Sequence, residues 1–468
     1  MGNAKKRSGS VASMLPVLLA CSFTASFGQS MMNVALPELA ERFGVTLSIA
    51  NWVIVGYMVV AATAIMLSAF MLRRLGLRRV FFVGAGALAL GSACALLSQD
   101  FPMLFASRLV QAVGTGLFFP SVTSVIMTNS PAAVRGTRLA LNSGVIAVGL
   151  AISPTASGFA LTQFGWRAMF VVSLAMSVAL LAVGFFRIHG GPSTKRVPID
   201  ALSVMLGPLG LAAFLYGLGE VTRDLAPSLA ALAVGAVLLA LFAWRQFALE
   251  SPLLDLHPLV HPRFAVGILL VMVGMLTSFS MSILLPLYYE GALGYTAFFA
   301  GLLLGPVLVN AAFTFLGGRV FDRHGAWPLI PAGLVLVLVG QAAAFFSAES
   351  MIAILIVLSS AAVYAGAGFV VAPSKTAALG TLPPATYSAG ASINSTAAQI
   401  ASAIGSSLFV GVLSADVLRD TAAGAAKASA YAAAFEHTLS IAVVIAAAGL
   451  LVAFFYARAM RKPAGKQR

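Results

Sequence analysis

Leu104-Phe-Ala-Ser-Arg108-Leu-Val-Gln111-Ala-Val-Gly114-Thr-Gly116 is an apolar run interrupted by one full charge and one amide, three residues apart. On a helix, positions i and i+3 lie on one face. A second run, Gly149-Leu-Ala-Ile-Ser153-Pro154-Thr-Ala-Ser157-Gly158, is a ridge of small residues around a proline. With their apolar flanks, both runs are long enough to cross a bilayer, which takes about 20 residues. A charge inside a bilayer costs about 2.5–3.5 kcal/mol on insertion scales, so it faces a cavity or a partner. The two runs read as working helices of a polytopic membrane protein.

Composition agrees. Of 468 residues, 60% are hydrophobic and 9% charged, where a soluble domain carries about 25% charged residues. The net charge of +14 raises nucleic acid as a partner, but the placement of the charge argues against it, as shown below. Cys21 and Cys94 lie in apolar runs and make no disulfide framework or metal cluster. His257 and His261 are four apart in a proline-rich loop, which is no metal-ligand pattern, so neither a metal nor a cofactor is expected. Lys5-Lys-Arg7 before the apolar run from Met14, with Leu18-Leu-Ala-Cys21, resembles a secretory or lipoprotein signal. The continuation of that run to Leu36 favours an uncleaved first span.

Apolar runs of span length fall at 13–35, 48–71, 79–98, 102–128, 138–161, 168–187, 200–219, 226–247, 264–288, 297–318, 327–346, 351–373, 391–413 and 437–460. That gives fourteen spans, an even number, so both termini lie on one side. One set of loops, with both tails, holds 22 of the 28 Lys and Arg residues. The opposite loops hold only Arg42, Arg167, Arg223, Arg419 and Lys427. The positive-inside rule puts the rich side, and both termini, in the cytoplasm. It also explains the basic pI without nucleic acid.

Ser22, Ser26, Gln29 and Asn33 share a face of the first span, as Ser392, Ser395, Gln399, Ser402 and Ser406 do in the thirteenth. Such faces serve either interhelical hydrogen bonding or a polar cavity wall; the serine-rich thirteenth span reads as packing. Gly149, Ser153 and Ser157 let backbones approach closely, and Pro154 favours a bend. Two basic loops echo each other: Arg73-Arg74-Leu-Gly76 and Asp322-Arg323-His-Gly325 each place an arginine two positions before a glycine. Transporters are often built from such repeated halves.

With these motifs in order, the chain resembles the major facilitator superfamily, in its fourteen-span drug–proton antiporter branch. The resemblance rests on Asn33-Val-Ala-Leu-Pro37, Ala50-Asn51-Trp52-Val-Ile-Val-Gly-Tyr57, Arg108-x-x-Gln111, Gly149 to Gly158, Glu250-Ser-Pro-Leu-Leu-Asp-Leu256, Leu285-Pro-Leu-Tyr-Tyr289, and Gly318 with Asp322-Arg323-His-Gly325. It implies an all-α fold of six, two and six spans, with bundles at 1–190 and 263–468 and a linker carrying two inserted helices at 191–262. It further implies alternating access, proton coupling tied to Arg108 and Gln111, and a conformational latch at Arg74, Gly76, Gly318, Asp322, Arg323 and Gly325. The ridge Gly149, Ser153, Pro154, Ser157 and Gly158 is then the hinge. Three departures stand out: Arg73 replaces an acid, Ser153 and Ser157 replace glycines, and Gly28 stands where the branch carries an acid on the first span.

The function expected is a monomeric, proton-coupled multidrug exporter of amphipathic or cationic compounds in the cell (inner) membrane. Its cavity is drawn from Ser26, Gln29, Asn33, Asn51, Trp52, Tyr57, Tyr288 and Tyr289. Since position 28 lacks its acid, Glu220 and Glu290, at the outer ends of two spans, are the carboxylates left for coupling; Asp416 and Asp420 read as outer-loop charges. The alternative is an exporter or flippase of an anionic or lipid-like substrate, which a deep Arg108 attracts. A non-transporting sensor is disfavoured by the polar faces. No nucleophile–base pair or phosphate loop suggests an enzyme.

Overall fold

The computed structural model describes residues 2–130, 132–188, 200–383 and 386–459, and these are helical with no strand among them. The first half runs α1 (Gly2–Ser30), two short helices α2 (Leu36–Phe43) and α3 (Leu47–Ala50), α4 (Trp52–Leu96), α5 (Phe101–Asn129), α6 (Ala132–Phe164) and α7 (Arg167–Arg187). A helical pair, α8 (Ala201–Glu220) and α9 (Leu225–Ala248), follows. The second half runs α10 (Pro262–Gly291), α11 (Ala297–Leu302), α12 (Val307–His324), α13 (Leu329–Ser347), α14 (Ala353–Leu379), α15 (Tyr387–Ala422) and α16 (Lys427–Ala459). Among the described residues, 13 stretches are long and apolar enough to cross a membrane, and Met14–Ser30 adds a shorter apolar helix. An all-helical, multi-pass membrane protein is what the hydropathy pattern requires, because only internally hydrogen-bonded helices or closed barrels survive in lipid.

The chain divides into two compact units. The first comprises Met1–Gly217, Ala226–Leu254 and Tyr295–Leu302; the second comprises Leu218–Leu225, Asp255–Gly294 and Leu303–Arg468. In the first, α4 packs along α5 and α7, and α1 lies against α5 and α6. In the second, α14 packs against α10, α12 and α13, while α10 and α13 also contact α16. Residues 189–199, which include the start of the expected linker at 191–262, and the basic C-terminal tail (460–468) lie outside the described residues.

One expected loop is smaller than the apolar count suggests. The spans at 48–71 and 79–98 follow each other directly within α4, as two helical stretches that meet at a kink at Gly76 (φ 78°, ψ 164°). The echo of that motif ends α12 at Gly325 (φ 75°, ψ −163°). Both conformations fall in a region open in practice only to glycine. The sequence echo is therefore a backbone echo: in both motifs, an arginine two residues upstream leads into a left-handed glycine that redirects the chain. Arg74 lies over the Phe70 ring at 5.8 Å, a cation–π contact. Arg323 is exposed; the side chain of Asp322 lies outside the described residues. Gly318 is an ordinary helical position with open space where a Cβ would stand. The tenth expected span is broken: α11 ends at Leu302 and α12 begins after Pro306, whose ring removes a helix N–H.

The inserted pair is closed by a polar clasp that has no sequence motif. Arg245 donates from Nε to Asp200 Oδ2 at 2.6 Å and from Nη2 to Asp200 Oδ1 at 2.8 Å. Ser203 Oγ donates to the same carboxylate. Gln246 Nε2 donates to Ser203 Oγ at 2.8 Å, and its Oε1 accepts from the backbone N–H groups of Leu253 (2.9 Å) and Leu254 (3.1 Å). The hydrogen-bonded Arg245 guanidinium holds the Asp200 carboxyl below the usual carboxylate range. In this way the Glu250-Ser-Pro-Leu-Leu-Asp255 segment is tied to the base of the hairpin.

Replacing Gly76 or Gly325 with alanine is expected to destabilise the protein by about 1–3 kcal/mol, the cost of forcing a side chain into that backbone region. Gly318→Ala, in an open helical position, is expected to be neutral or stabilising. Thermal unfolding of the purified variants checks the contrast; equal melting temperatures for all three contradict it.

Candidate functional site

α5 starts cleanly because Asp100 accepts the N–H of Met103 at 2.8 Å as its N-cap. Two turns further on, that register sets Arg108 facing inward, with no exposed surface. Nη1 donates to Gln111 Oε1 at 2.7 Å and to the carbonyl of Gly28 at 3.1 Å; Nε donates to the carbonyl of Val53 at 3.4 Å. The guanidinium carbon stands 4.2 Å from the centre of the Tyr57 ring, a cation–π contact worth about 2 kcal/mol when desolvated. The third nitrogen, Nη2, is buried with no hydrogen-bond partner among the described residues.

The network continues outward from this cation. Gln111 Nε2 donates to Ser92 Oγ at 2.7 Å, and Ser92 Oγ lies 3.1 Å from Ser173 Oγ. The Tyr57 hydroxyl meets Thr115 Oγ1 at 2.5 Å, and Thr115 Oγ1 lies 3.4 Å from the carbonyl of Ala25. One charge thus links α1, α4, α5 and α7. Among the described residues, no carboxylate reaches ion-pairing distance of Arg108, and the ring of Tyr57 is the aromatic face against it.

Position 28, where the resemblance places an acid, meets the arginine through its backbone instead. Gly28 lies in the last turn of α1, where carbonyls lack an intrahelical partner. The C-terminal end of a helix carries about half a negative charge. Arg108 sits at that end, and helix polarity does part of the work a carboxylate would do.

The α6 ridge has two working faces. On one, Ser153 Oγ donates to the carbonyl of Phe27 at 2.7 Å, Gly149 lies against Ser26, and Ser22 Oγ donates to Asn142 Oδ1 at 2.7 Å. On the other, Thr155 Oγ1 donates to the carbonyl of Gly301 at 2.9 Å, and the N–H of Phe298 donates to Thr162 Oγ1 at 3.2 Å. Gly158 meets the Ala297 backbone there, and Gly301 meets Pro154. All of these groups belong to the first unit. α6 runs as one helix through Pro154, so the expected bend is not a break in the helix. Ser157 is buried.

The other expected site residues fall as follows. Ser26, Gln29, Asn33, Asn51 and Tyr57 are buried in the first unit. Ser26 Oγ bonds back to the carbonyl of Phe23 at 3.0 Å, and Trp52 packs against Phe105 and Tyr216. In the second unit Tyr288 and Tyr289 are buried; the Tyr288 hydroxyl donates to the carbonyl of Ala348 at 2.7 Å, and its ring lies 4.5 Å from that of Phe435. Glu290 is half-buried, and Gly291 next to it lies against the Tyr431 ring. Glu220 is buried and pairs with Arg223 at 3.6 Å.

Asp416 overturns its reading as a loop charge. α15 continues to Ala422, and Asp416 is only 5% exposed. It pairs with Arg419 Nη1 at 3.0 Å and with His437 Nδ1 of α16 at 2.6 Å. The i, i+3 spacing of Asp416 and Arg419 was the available signal. The serines of α15 behave as packing residues: Ser392, Ser395 and Ser402 bond to carbonyls four residues back in their own helix.

Membrane-spanning helices around a buried cation and its polar network define a polytopic membrane transporter. The chain belongs to the Major Facilitator Superfamily, whose sequence profile matches residues 18–406. It is 31% identical over 460 residues to the lincomycin resistance protein LmrB of Bacillus subtilis (strain 168), covering 95% of each chain. It is 30% identical to the protein of the same name from Listeria monocytogenes, covering 94% of this chain and 96% of that one. Among solved structures, a bacterial homologue of the human lysosomal transporter Spinster, in an inward-facing and unoccupied conformation, superposes with a TM-score of 0.67 at 16% identity, over 97% of this chain and 99% of that one.

Gln111→Leu removes the acceptor of Arg108 and the donor to Ser92 together. It is expected to cost about 1–3 kcal/mol, the penalty for leaving a buried polar group unmade. Ser92→Ala is expected to cost less, and the double variant less than the sum of the two. Thermal unfolding of the three proteins checks this; strict additivity contradicts the network.

Proposed function

We propose that this protein is a secondary active multidrug exporter, a proton-coupled antiporter that moves amphipathic or cationic compounds out of the cell by alternating access. The observation that carries the reading is kinship over 95% of both chains with a protein named for lincomycin resistance. On this reading 1–190 and 263–468 are the moving bundles, 191–262 is the inserted pair, and the protein works as a monomer. The excess of Lys and Arg on one set of loops supports an inner-membrane location with both termini cytoplasmic.

Protons are the coupling ion in this proposal. The acidic groups that support it lie in the second unit: Glu220 with Arg223, the half-buried Glu290, and Asp416 between Arg419 and His437. A second reading, export or flipping of an anionic or lipid-like substrate, is favoured by one observation, that no carboxylate among the described residues stands beside Arg108.

The test is transport in proteoliposomes of purified protein under an imposed pH gradient. The proposal expects a lipophilic dye to move against its own gradient only while the pH gradient stands. Glu290→Gln or Asp416→Asn is expected to lower that coupled movement about tenfold or more while leaving downhill exchange measurable. Movement indifferent to the pH gradient contradicts proton coupling.

A further inference from the structure

Among the described residues, the charge and the hydrogen bonds of Arg108 do not close. The groups around its guanidinium are two backbone carbonyls, an amide oxygen and an aromatic face. All are neutral, and the end of α1 supplies only about half a unit of opposite charge. A cation left in that state is held away from water against a large desolvation cost. Hydrogen bonding tells the same story. Nε and Nη1 are engaged, whereas Nη2 is buried with no partner among the described residues, and a buried charged donor without an acceptor is expensive.

Space stands beside it. A Cβ built on Gly28, whose carbonyl already binds Nη1, would meet only the Tyr57 hydroxyl, at 3.6 Å, an ordinary contact. Elsewhere in the unit the ridge glycines are crowded: Gly149 and Gly158 have a side chain or backbone where a Cβ would go. Gly28 is thus a buried position with room for a Cβ, bordered by the hydroxyl of the tyrosine whose ring lies on the same guanidinium.

We propose that Arg108, with the space beside Gly28 and the Tyr57 hydroxyl, forms a binding subsite for a singly charged oxyanion, a carboxylate, carried by the transported molecule. The proposal rests on the export reading for the source of the anion. One oxyanion supplies both missing quantities, an acceptor for Nη2 and a full negative charge. A phosphate dianion would bring more charge than this single cation balances. The protein thereby leaves its own carboxylate out of the first unit's core and takes that charge from its cargo. A polyspecific exporter gains a distinct class of cargo in this way, amphiphiles with one acidic group beside an apolar body.

The experiment uses the full chain, purified and placed in nanodiscs, with 1-naphthaleneacetate and its neutral amide as matched probes. The wild type is expected to bind the carboxylate about tenfold more tightly than the amide, a margin in line with one hydrogen bond to a charged group. In Arg108→Gln the ratio falls to about one. In Gly28→Asp, where a tethered carboxylate takes the space and the charge, it also falls to about one. Gly28→Asp decides the matter if Arg108→Gln does not fold. Equal binding of the two probes by the wild type, or a ratio that survives both substitutions, overturns the subsite. Vesicle transport of the same probes is read separately: binding preference without transport under any ion gradient rejects the export reading and leaves the subsite standing, while neither binding nor transport rejects both.

Discussion

The constraint on which the first unit depends is the burial of one positive charge in a membrane-spanning core. A guanidinium there must be solvated by the protein itself. Arg108 achieves this with acceptors from three directions: the last turn of α1, the first turn of the long helix α4, and Gln111 one turn along its own helix. Tyr57 closes the fourth side with its ring. Each of these groups is fixed by something else. Tyr57 is held by Thr115, Gln111 by Ser92, and α1 by the serine bond from Ser153 of α6. The packing of α1, α4, α5 and α6 and the solvation of Arg108 are therefore one problem with one solution.

The second unit solves a different problem. Its ion pairs lie toward helix ends: Glu220 with Arg223, and Asp416 with Arg419 and His437. It has the tyrosine-rich core of Tyr288, Tyr289 and Tyr364, with no buried arginine among the described residues to match Arg108. What the two halves do share is backbone. Gly76 and Gly325 take nearly the same left-handed φ after equivalent basic residues. The repeat is kept where the chain must turn, and the chemistry of the interior has diverged.

Most of the fold is legible in the sequence because hydropathy is a property of whole windows, and a bilayer demands long ones. The motif residues Arg108, Gln111, Gly76 and Gly325 were legible for the same kind of reason: a charge, or a glycine after arginines, is conspicuous in an apolar run. What stayed hidden were residues whose role is set by a neighbour far along the chain. Ser92, Ser173 and Thr115 are single small polar residues in apolar helices, with no pattern to mark them until α4, α5 and α7 are brought together. Asp200 and Arg245 are 45 residues apart and join only when α8 and α9 close into a hairpin. Asp416 was misplaced because the apolar count ended α15 early: the helix runs on past its apolar window, carried by packing against α16. Gly28 was legible as an anomaly, but the carbonyl it offers in place of a side chain is visible only in three dimensions.

The central claim is that Arg108 carries its charge in the resting protein without a carboxylate beside it. Magic-angle-spinning NMR in bilayers tests this most directly, using ¹⁵N-labelled arginine and ¹³C-carboxyl-labelled aspartate and glutamate, with Arg108→Gln to assign the signal. The account predicts a charged guanidinium with two inequivalent terminal nitrogens and no recoupling to any protein carboxylate in the absence of substrate. A clear dipolar contact to an aspartate or glutamate carboxyl, corresponding to an ion pair at about 4 Å or less, would contradict it.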